Sequence, residues 1–165
     1  MINLQNEHNF QIDDARLQAA AQAVIARHEI DEASSLSIVI STNEAVHALN
    51  LQHRGVDAPT DVLSFPADPL PEELLAEMDE EDEEPPYLGD LVIAYPYASQ
   101  QAASLKHNLS DSLALLVVHG TLHLLGYDHD TPENRAEMWE EQAAVLEALG
   151  IDTSIVPSLE SNDHA

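Results

Sequence analysis

A long apolar segment that carries two histidines constrains the fold of this chain more than any other feature. On a helix, the apolar residues of this segment would cover nearly the whole surface. They are Leu113, Leu115, Leu116, Val117, Val118, Leu122, Leu124 and Leu125. A helix that is apolar nearly all round is buried, so this segment predicts a rigid core helix. His119 and His123 are four residues apart and therefore lie one turn apart on the same face of that helix.

Gly126 and His129 complete a pattern that is typical of a metal site. Glycine adopts the left-handed conformation that ends a helix, so Gly126 predicts a turn that brings His129 back beside His119 and His123. One histidine on an apolar helix is more often a packed core residue, but three in this arrangement are hard to explain by packing. Three imidazoles with a fourth position for water describe a catalytic zinc site. Nickel, copper or another divalent metal would fit the same nitrogens.

The residue after the first histidine argues against a peptidase. The metallopeptidase pattern H-E-x-x-H-x-x-G-x-x-H fits here except that Gly120 replaces the glutamate, which is the general base of peptide hydrolysis. Cleavage of a phosphodiester instead requires stabilisation of charge on non-bridging oxygens, which a Lewis-acidic ion and an arginine can provide. Gly120 is also expected to leave open space beside the metal for a bulky substrate.

Three stretches of the chain together resemble the YbeY family of bacterial rRNA maturation factors. The most specific stretch is His119–His129, which reads H-G-T-L-H-L-L-G-Y-D-H. The other two are Leu49-Asn50 with Arg54-Gly55 and Pro59–Pro66, and Leu88–Ile93. The resemblance covers about residues 36–150 in the same order. One departure is Val56, where the family often has a basic residue, and this weakens the case for an RNA-gripping loop at that point.

The resemblance implies a single-strand-specific, metal-dependent endoribonuclease. Its expected role is maturation of the 16S rRNA 3′ end, together with ribosome assembly and quality control. In that role one Zn²⁺ per chain is held by His119, His123 and His129 plus water, and the catalytic residues are Arg54 and His119. The attacking group stays open, because the ion could activate water or a ribose 2′-hydroxyl, or stabilise the leaving oxygen.

Arg54 and three carboxylate or hydroxyl residues are the remaining site candidates. By its position alone, Arg54 lies near a predicted helix end, where a cation interacts favourably with the helix dipole. The resemblance instead assigns it to a substrate phosphate, whose oxygens a guanidinium can hold in pairs. Asp61 is a candidate general base and Ser64 a candidate cleft residue. Asp128 either caps the turn before His129 or supports that ligand through a hydrogen bond. A purely structural role explains Asp61 and Ser64 equally well.

The charge of the chain conflicts with free binding of RNA. The 165 residues include 31 acidic and five basic ones, with a formal net charge of −26, whereas nucleic-acid binders normally present a basic face to the phosphates. Nine of the carboxylates lie between residues 72 and 84, a run that predicts a solvated, poorly ordered segment. The rest of the chain is acidic as well, so a partner such as the small ribosomal subunit is expected to supply much of the binding energy.

A non-catalytic ribosome-assembly factor is the alternative interpretation. An acidic surface suits docking on basic ribosomal proteins of the small subunit. The partners would then be the small subunit, a ribosomal protein or an assembly GTPase, and the metal would stabilise the fold. Histidine-to-alanine variants that stay folded but lose function would separate this interpretation from the enzyme.

Length and composition predict one cytoplasmic domain over residues 1–151. A chain of 165 residues with 44% hydrophobic residues can build one substantial core, and the absence of cysteine excludes disulfides and thiolate metal sites. No signal pattern and no apolar run of about 18 residues is present, so no membrane contact is expected. Residues 67–86 are predicted to form an acidic insert loop with a short helix near Glu72–Met78, and residues 152–165 a flexible tail.

Periodicity and turn residues predict the element order β-α-β-α-β-β-α-α-α. The predicted strands are 2–7, 36–40, 62–65 and 87–94, the last with a bulge at Gly89-Asp90. The predicted helices start at Asp13 or Asp14, Thr42, Pro96, Ser110 or Asp111, and Thr131. The expected fold class is α+β, a small mixed four-stranded sheet covered by about five helices with the metal-bearing helix at its centre. Trp139 is interpreted as a core residue in preference to a stacking platform.

Overall fold

The computed structural model describes residues 2–28, 30, 34–67 and 87–153, which form four strands and five helices. The strands are β1 (Ile2–Gln5), β2 (Ser35–Ser41), β3 (Val62–Pro66) and β4 (Tyr87–Ala94). The helices are α1 (Asp14–Arg27), α2 (Asn43–Arg54), α3 (Tyr95–Leu105), α4 (Leu109–Leu124) and α5 (Pro132–Ala148). The predicted element order is confirmed. The predictions for the acidic insert, including the helix near Glu72–Met78, and for the tail beyond residue 153 lie outside the described residues.

The four strands form one mixed sheet in the order β1-β2-β4-β3. Strands β1, β2 and β4 are parallel, and β3 is antiparallel to β4 at one edge. The predicted bulge is present, because the pairing of β4 with β2 slips between Tyr87 and Asp90. Gly89 has a φ of +140° there, and a Cβ at this position would lie 2.3 Å from the carbonyl oxygen of Phe65. Both the backbone conformation and the close approach of β3 therefore require glycine.

Helix α4 lies at the centre of the molecule, as its composition predicts. It contacts α1, α3 and α5 as well as strands β3 and β4, and every residue from Leu113 to Leu122 is buried. Full burial stabilises each large apolar side chain by about 1.5–3 kcal/mol, so α4 is a firm base for a functional site. Although α4 is apolar, none of the described helices is both long enough and apolar enough to cross a membrane.

Helix α2 packs on the opposite face of the sheet from α4. Leu91 and Ile93 of β4 belong to the main core with α1 and α4, whereas Val92 and Ala94 belong to a smaller core with Val46 of α2. This alternation follows from the two-residue period of a strand, which points successive side chains to opposite faces. The sheet therefore separates most of α2 from the histidines of α4.

Side-chain caps begin three of the five helices as predicted, whereas α3 begins at Tyr95 without a side-chain cap, one residue before the predicted Pro96. Asp13, Thr42 and Thr131 cap α1, α2 and α5, but the predicted cap of α4 at Ser110 or Asp111 is wrong. Asn108 takes that place, and its Oδ1 accepts a hydrogen bond from the Asp111 N–H at 3.1 Å.

Ser110 and Asp111 bind Arg16 of α1 instead of capping α4. The Arg16 guanidinium donates a hydrogen bond to Ser110 Oγ at 3.0 Å and forms an ion pair with the Asp111 carboxylate. Both residues are already inside the first turn of α4, whereas a cap must precede that turn to reach its unpaired N–H groups. Their side chains therefore join α1 to α4.

Candidate metal centre

The chain reverses direction after α4 through the glycine turn that the sequence predicts. Gly126 has a φ of +100°, its N–H donates to the His123 carbonyl at 3.0 Å, and the Tyr127 N–H donates to the Leu122 carbonyl at 3.0 Å. These two bonds form a Schellman ending, which satisfies carbonyls that the helix leaves unpaired. Asp128 extends the turn, since its Oδ1 accepts a hydrogen bond from the His129 N–H at 2.8 Å. The turn returns His129 toward α4.

The structure brings His119, His123 and His129 together. One ring nitrogen from each histidine lies within 4.8 Å of those of the other two, and the Nε2 atoms of His119 and His123 are 3.1 Å apart. His119 is fully buried, whereas His123 and His129 are partly exposed. The cluster therefore has a closed side in the core and an open side toward solvent.

The protonation and burial of these rings fit a divalent metal. His119 Nδ1 lies 2.6 Å from Gln142 Oε1, an acceptor, so Nδ1 carries the proton and Nε2 presents its lone pair to the cluster. His129 Nε2 is buried and has no hydrogen-bond partner within the described ranges. Two nitrogens that bind one tetrahedral zinc ion at about 2.0–2.1 Å are about 3.3 Å apart, close to the spacing of His119 and His123. Three imidazoles suit zinc, and also copper, iron or nickel.

Gln142 was missed by the sequence analysis, although a signal for it exists. Gln142 is completely buried and lies on α5 between the buried residues Met138 and Val145. A buried polar side chain in an apolar row requires a hydrogen-bond partner, and here that partner is a candidate metal ligand. A glutamine among the apolar residues of α5 was therefore a sequence signal for a side chain that hydrogen-bonds to a metal ligand.

Trp139 packs directly against the histidine cluster. Its ring centroid lies 5.9 Å from that of His119 and 5.6 Å from that of His129, with both pairs in edge contact. The guanidinium carbon of Arg135 lies 5.2 Å from the centre of the indole. The interpretation of Trp139 as a plain core residue is therefore incomplete, because the ring is only partly buried and forms a wall of the site.

An open cleft of about 450 Å³ begins at the histidine cluster. It runs along the start of α5 and is lined by His129, Asp130, Thr131, Pro132, Arg135, Ala136 and Trp139. A hydrogen bond from the Asn134 side chain lowers the pKa of Asp130, so this carboxylate is ionised at neutral pH. The cleft is therefore apolar and aromatic at one wall, with one cation and one anion at its rim.

Gly120 does not provide the open space beside the metal that the sequence suggested. It faces the sheet, where an added Cβ would lie 2.7 Å from Leu91 Cδ2 and 3.2 Å from Ser64 Oγ. Glycine is required here because the helix and the sheet approach each other closely. A glutamate side chain at position 120 would collide with Leu91 of the sheet. This close packing is a second argument against a peptidase.

Arg54 lies at the last turn of α2, on the far face of the sheet from α4. Its guanidinium donates a hydrogen bond to Asn50 Oδ1 at 3.3 Å, and Asn50 in turn donates to the Ala58 carbonyl at 2.8 Å. Asn50 is 1% exposed and so fixes both Arg54 and the loop that follows it. The same end of α2 reaches β3, because the ring of His53 contacts that of Phe65.

Asp61 and Ser64 occupy different faces of β3. Ser64 Oγ lies 3.4 Å from the carbonyl oxygen of Gly120, the residue that follows His119 in α4. Asp61 is buried, and its Oδ1 accepts a hydrogen bond from the Val62 N–H at 2.8 Å. Burial and the charge of Asp61 raise the pKa of Tyr97, a residue of the smaller core beside α2. Asp61 therefore starts β3 on the side away from the histidines.

The fold and the site define an α+β protein with a three-histidine metal-binding cluster at the end of a buried helix. The family model for the endoribonuclease YbeY matches residues 2–150. The chain therefore belongs to the YbeY family of endoribonucleases, and the family implies an RNA substrate. The resemblance found in the histidine segment is confirmed, and so is the prediction of an endoribonuclease.

Several relatives match most of their own length as well as most of this chain. The endoribonuclease YbeY of Brevibacillus brevis is 43% identical over 138 residues, 82% of this chain and 83% of its own. That of Exiguobacterium sp. is 47% identical over 130 residues, 79% of each chain. A Thermotoga maritima protein solved in solution has 27% identity and a TM-score of 0.58, and the match covers 99% of this chain and 97% of that one.

Proposed function

We propose that this protein cleaves phosphodiester bonds of single-stranded RNA at the His119, His123 and His129 cluster. The observation that supports this most directly is the meeting of three imidazole nitrogens within 4.8 Å at the mouth of a cleft lined by His129. Family membership supports the reaction class, and this geometry supports the histidine cluster as the position of the cleavage site. Zn²⁺ is the proposed ion, because three histidines plus water describe its catalytic sites.

In this proposal the three histidines would bind the ion and Arg54 would bind the substrate. A bound divalent ion would supply Lewis-acid stabilisation of the charge that develops on the phosphate. His119 would bind through Nε2, because Gln142 holds the proton on its Nδ1. Arg54 would bind non-bridging phosphate oxygens, and Asn50 would orient its guanidinium. Ser64 would support α4 beneath the histidines, and Asp128 would hold the turn that positions His129.

The position of Arg54 supports a path of the RNA around the edge of the sheet. Leu124 of α4 approaches Gly89, which pairs with Pro66 at the last position of β3, and His53 of α2 contacts Phe65 one residue earlier. The ends of α2 and α4 therefore meet the same end of the edge strand from opposite faces. A single strand that passes around this edge would contact both Arg54 and the histidines, whereas a rigid duplex would be harder to bend there.

Ribosomal RNA is the proposed substrate, with cleavage in the maturation of the 16S rRNA 3′ end in the cytoplasm. The net charge of −26 opposes binding to naked RNA. We therefore propose that the small ribosomal subunit, with a ribosomal protein or an assembly GTPase, holds the enzyme at its site. Acidic surfaces attract basic ribosomal proteins and steer their association.

The same charge supports a second candidate function, that of an assembly factor whose metal only stabilises the fold. In that case the protein would act by docking on the small subunit, and the variants His119→Ala and Arg54→Ala would keep full function as long as they remained folded. Cleavage that depends on the histidines, tested first on naked precursor RNA and then on assembled small subunits, is therefore the property that separates the two candidates.

The deciding experiment is cleavage of a small-subunit rRNA precursor by highly purified protein. The parent is compared with His119→Ala, Arg54→Ala and the control Lys106→Ala, which removes one exposed positive charge at the far end of α4. Metal content and folding are measured for each. Cleavage by the parent and the control, with loss in both site variants, supports the enzyme. Equal cleavage by all four proteins would reveal a contaminating nuclease, and the assembly factor would then be preferred.

A further inference from the structure

We propose that the indole of Trp139 and the guanidinium of Arg135 form a binding platform for a nucleobase next to the cleaved phosphate. The proposal rests on the proposed function and adds a substrate contact to it. The Arg135–Trp139 platform, as we call these two residues, lies in the cleft that begins at His129. It would hold the nucleotide beside the scissile bond and so set which phosphate reaches the histidines.

The geometry of the platform is that of a layered cation–π pair. The Arg135 guanidinium carbon lies 5.2 Å from the centre of the indole, within the distance of about 6 Å at which such pairs attract. Arg135 is exposed. The indole is held against His119 and His129, with ring centroids 5.9 and 5.6 Å apart. The inner layer is therefore rigid and tied to the metal site, and the outer layer faces solvent.

Nucleobases are the ligand chemistry that this arrangement suits. Unstacked bases of single-stranded RNA bind by stacking on aromatic rings or on arginine guanidinium planes. A duplex hides its base faces and could not use such a platform. The platform would therefore favour single-stranded RNA through the base itself, independently of the total charge of the protein.

The charges around the cleft agree with this assignment. Arg135 is one of the five basic residues of the chain, and it lines the cleft beside His129. Lys106 lies just before α4, whose 16 residues span about 24 Å, so it is remote from the cleft. Arg135 is therefore the basic residue that the cleft offers to the phosphates on either side of a bound base.

The chain contains a single tryptophan, so its fluorescence reports on the platform directly. The full-length protein is titrated with a short single-stranded RNA whose ribose 2′-hydroxyls are methylated, which blocks attack by these hydroxyls, and the RNA is checked for cleavage by water after each titration. We expect saturable quenching of Trp139, about tenfold weaker binding for Arg135→Gln, and a change of less than about twofold for Lys106→Gln. The same RNA with abasic nucleotides should bind without quenching. Metal content is measured for each variant.

A labelled RNA tests the ring itself, since variants of Trp139 lose the fluorescence signal. In anisotropy measurements Trp139→Phe should keep most of the affinity and Trp139→Leu should lose about tenfold or more. Equal effects of Arg135→Gln and Lys106→Gln would overturn the platform, as would quenching that persists with abasic RNA.

Cleavage of unmodified RNA by the same preparations distinguishes the two proposals. A parent protein that cleaves but shows no quenching would contradict the platform and leave the proposed function intact. A parent protein that shows base-dependent quenching but cleaves neither this RNA nor the rRNA of assembled small subunits would contradict the proposed function and leave the platform.

Discussion

Gln142 of α5 accepts a hydrogen bond of 2.6 Å from His119 of α4. Both side chains are completely buried, so the bond forms away from water and connects two helices at the candidate metal centre. Its consequence is chemical, because a histidine that donates through Nδ1 must present Nε2 as its lone-pair atom. The last helix therefore determines which nitrogen of the first histidine is available to a metal.

Replacement of Gln142 tests this relationship. Gln142→Leu removes the acceptor at similar volume, and we expect zinc affinity to fall about 10- to 100-fold while the protein stays folded. Gln142→Glu keeps an acceptor and should retain affinity close to that of the parent. Competition with a coloured zinc chelator measures both variants. An unchanged affinity in Gln142→Leu would show that His119 does not need this partner.

Addition of metal should stabilise the folded protein. A ligand that binds only the folded state at 100 times its Kd contributes about 2.7 kcal/mol to the free energy of unfolding, so zinc should raise the melting temperature and a chelator should reverse the change. His129→Ala removes one of the three imidazoles, and its melting temperature should respond far less. An equal response of parent and variant in differential scanning fluorimetry would place the zinc elsewhere.

Replacement by alanine should lower the free energy of unfolding much more at Gly89 than at Gly150, although both glycines have a positive φ. At Gly89 the new Cβ would lie 2.3 Å from a backbone oxygen, and strain plus overpacking predict a loss of about 3 kcal/mol or more. Gly150 has a φ of +75° with no atom within 4 Å of an added Cβ, so Gly150→Ala should cost only about 1–2 kcal/mol. Urea unfolding of both variants measures the difference, and similar losses would mean that β3 does not approach β4 so closely.

The ion pair between α1 and α5 should make stability depend on pH below neutrality. Arg27 Nε donates to Glu141 at 2.5 Å, and this bond together with the Arg27 charge lowers the pKa of Glu141 from 4.5. A lowered pKa in the folded state adds stability above the ordinary pKa, and this stability is lost as the pH falls through the folded value. Glu141→Gln should therefore be less stable than the parent at pH 7.

The difference between Glu141→Gln and the parent should shrink as the pH falls below 4.5 and through the lowered pKa of Glu141, because the parent carboxylate then becomes protonated as well. Urea unfolding at pH 7 and pH 3 measures it, with Glu140→Gln as the control for loss of an adjacent exposed carboxylate. High salt should reduce the effect at pH 7, because surface pairs are screened. A difference that is the same at both pH values would rule out the ion pair as its source.

Residue patterns were sufficient to predict the order of the described elements and the clustering of the three histidines. The all-apolar surface of α4 predicted its central position, and Gly126 predicted the turn that returns His129, because both signals act within a few residues along the chain. The cap of α4 was misplaced by two or three residues for a related reason. Asn108, Ser110 and Asp111 are all good caps locally, and in the structure the last two lie inside the first turn and bind Arg16 of another helix.

The surroundings of the metal centre could not be predicted in the same way. Gly120 is required by the approach of Leu91 and Ser64, and Gln142 and Trp139 reach the histidines from another helix. Arg54 proved to lie at the end of a helix on the other face of the sheet. Each of these relationships joins residues that are distant in the chain, so local patterns carry little information about them.

The sequence by itself determined the buried helix, the three histidines and the family, because helical periodicity, glycine conformation and imidazole chemistry are properties of short segments. Only the tertiary structure decided which nitrogen of His119 faces the cluster, which side chains line the cleft and on which face of the sheet Arg54 lies. These depend on how α2 and α5 pack against the sheet and α4. Packing depends on the simultaneous fit of many side chains from different parts of the chain. No short segment of the sequence therefore predicts it.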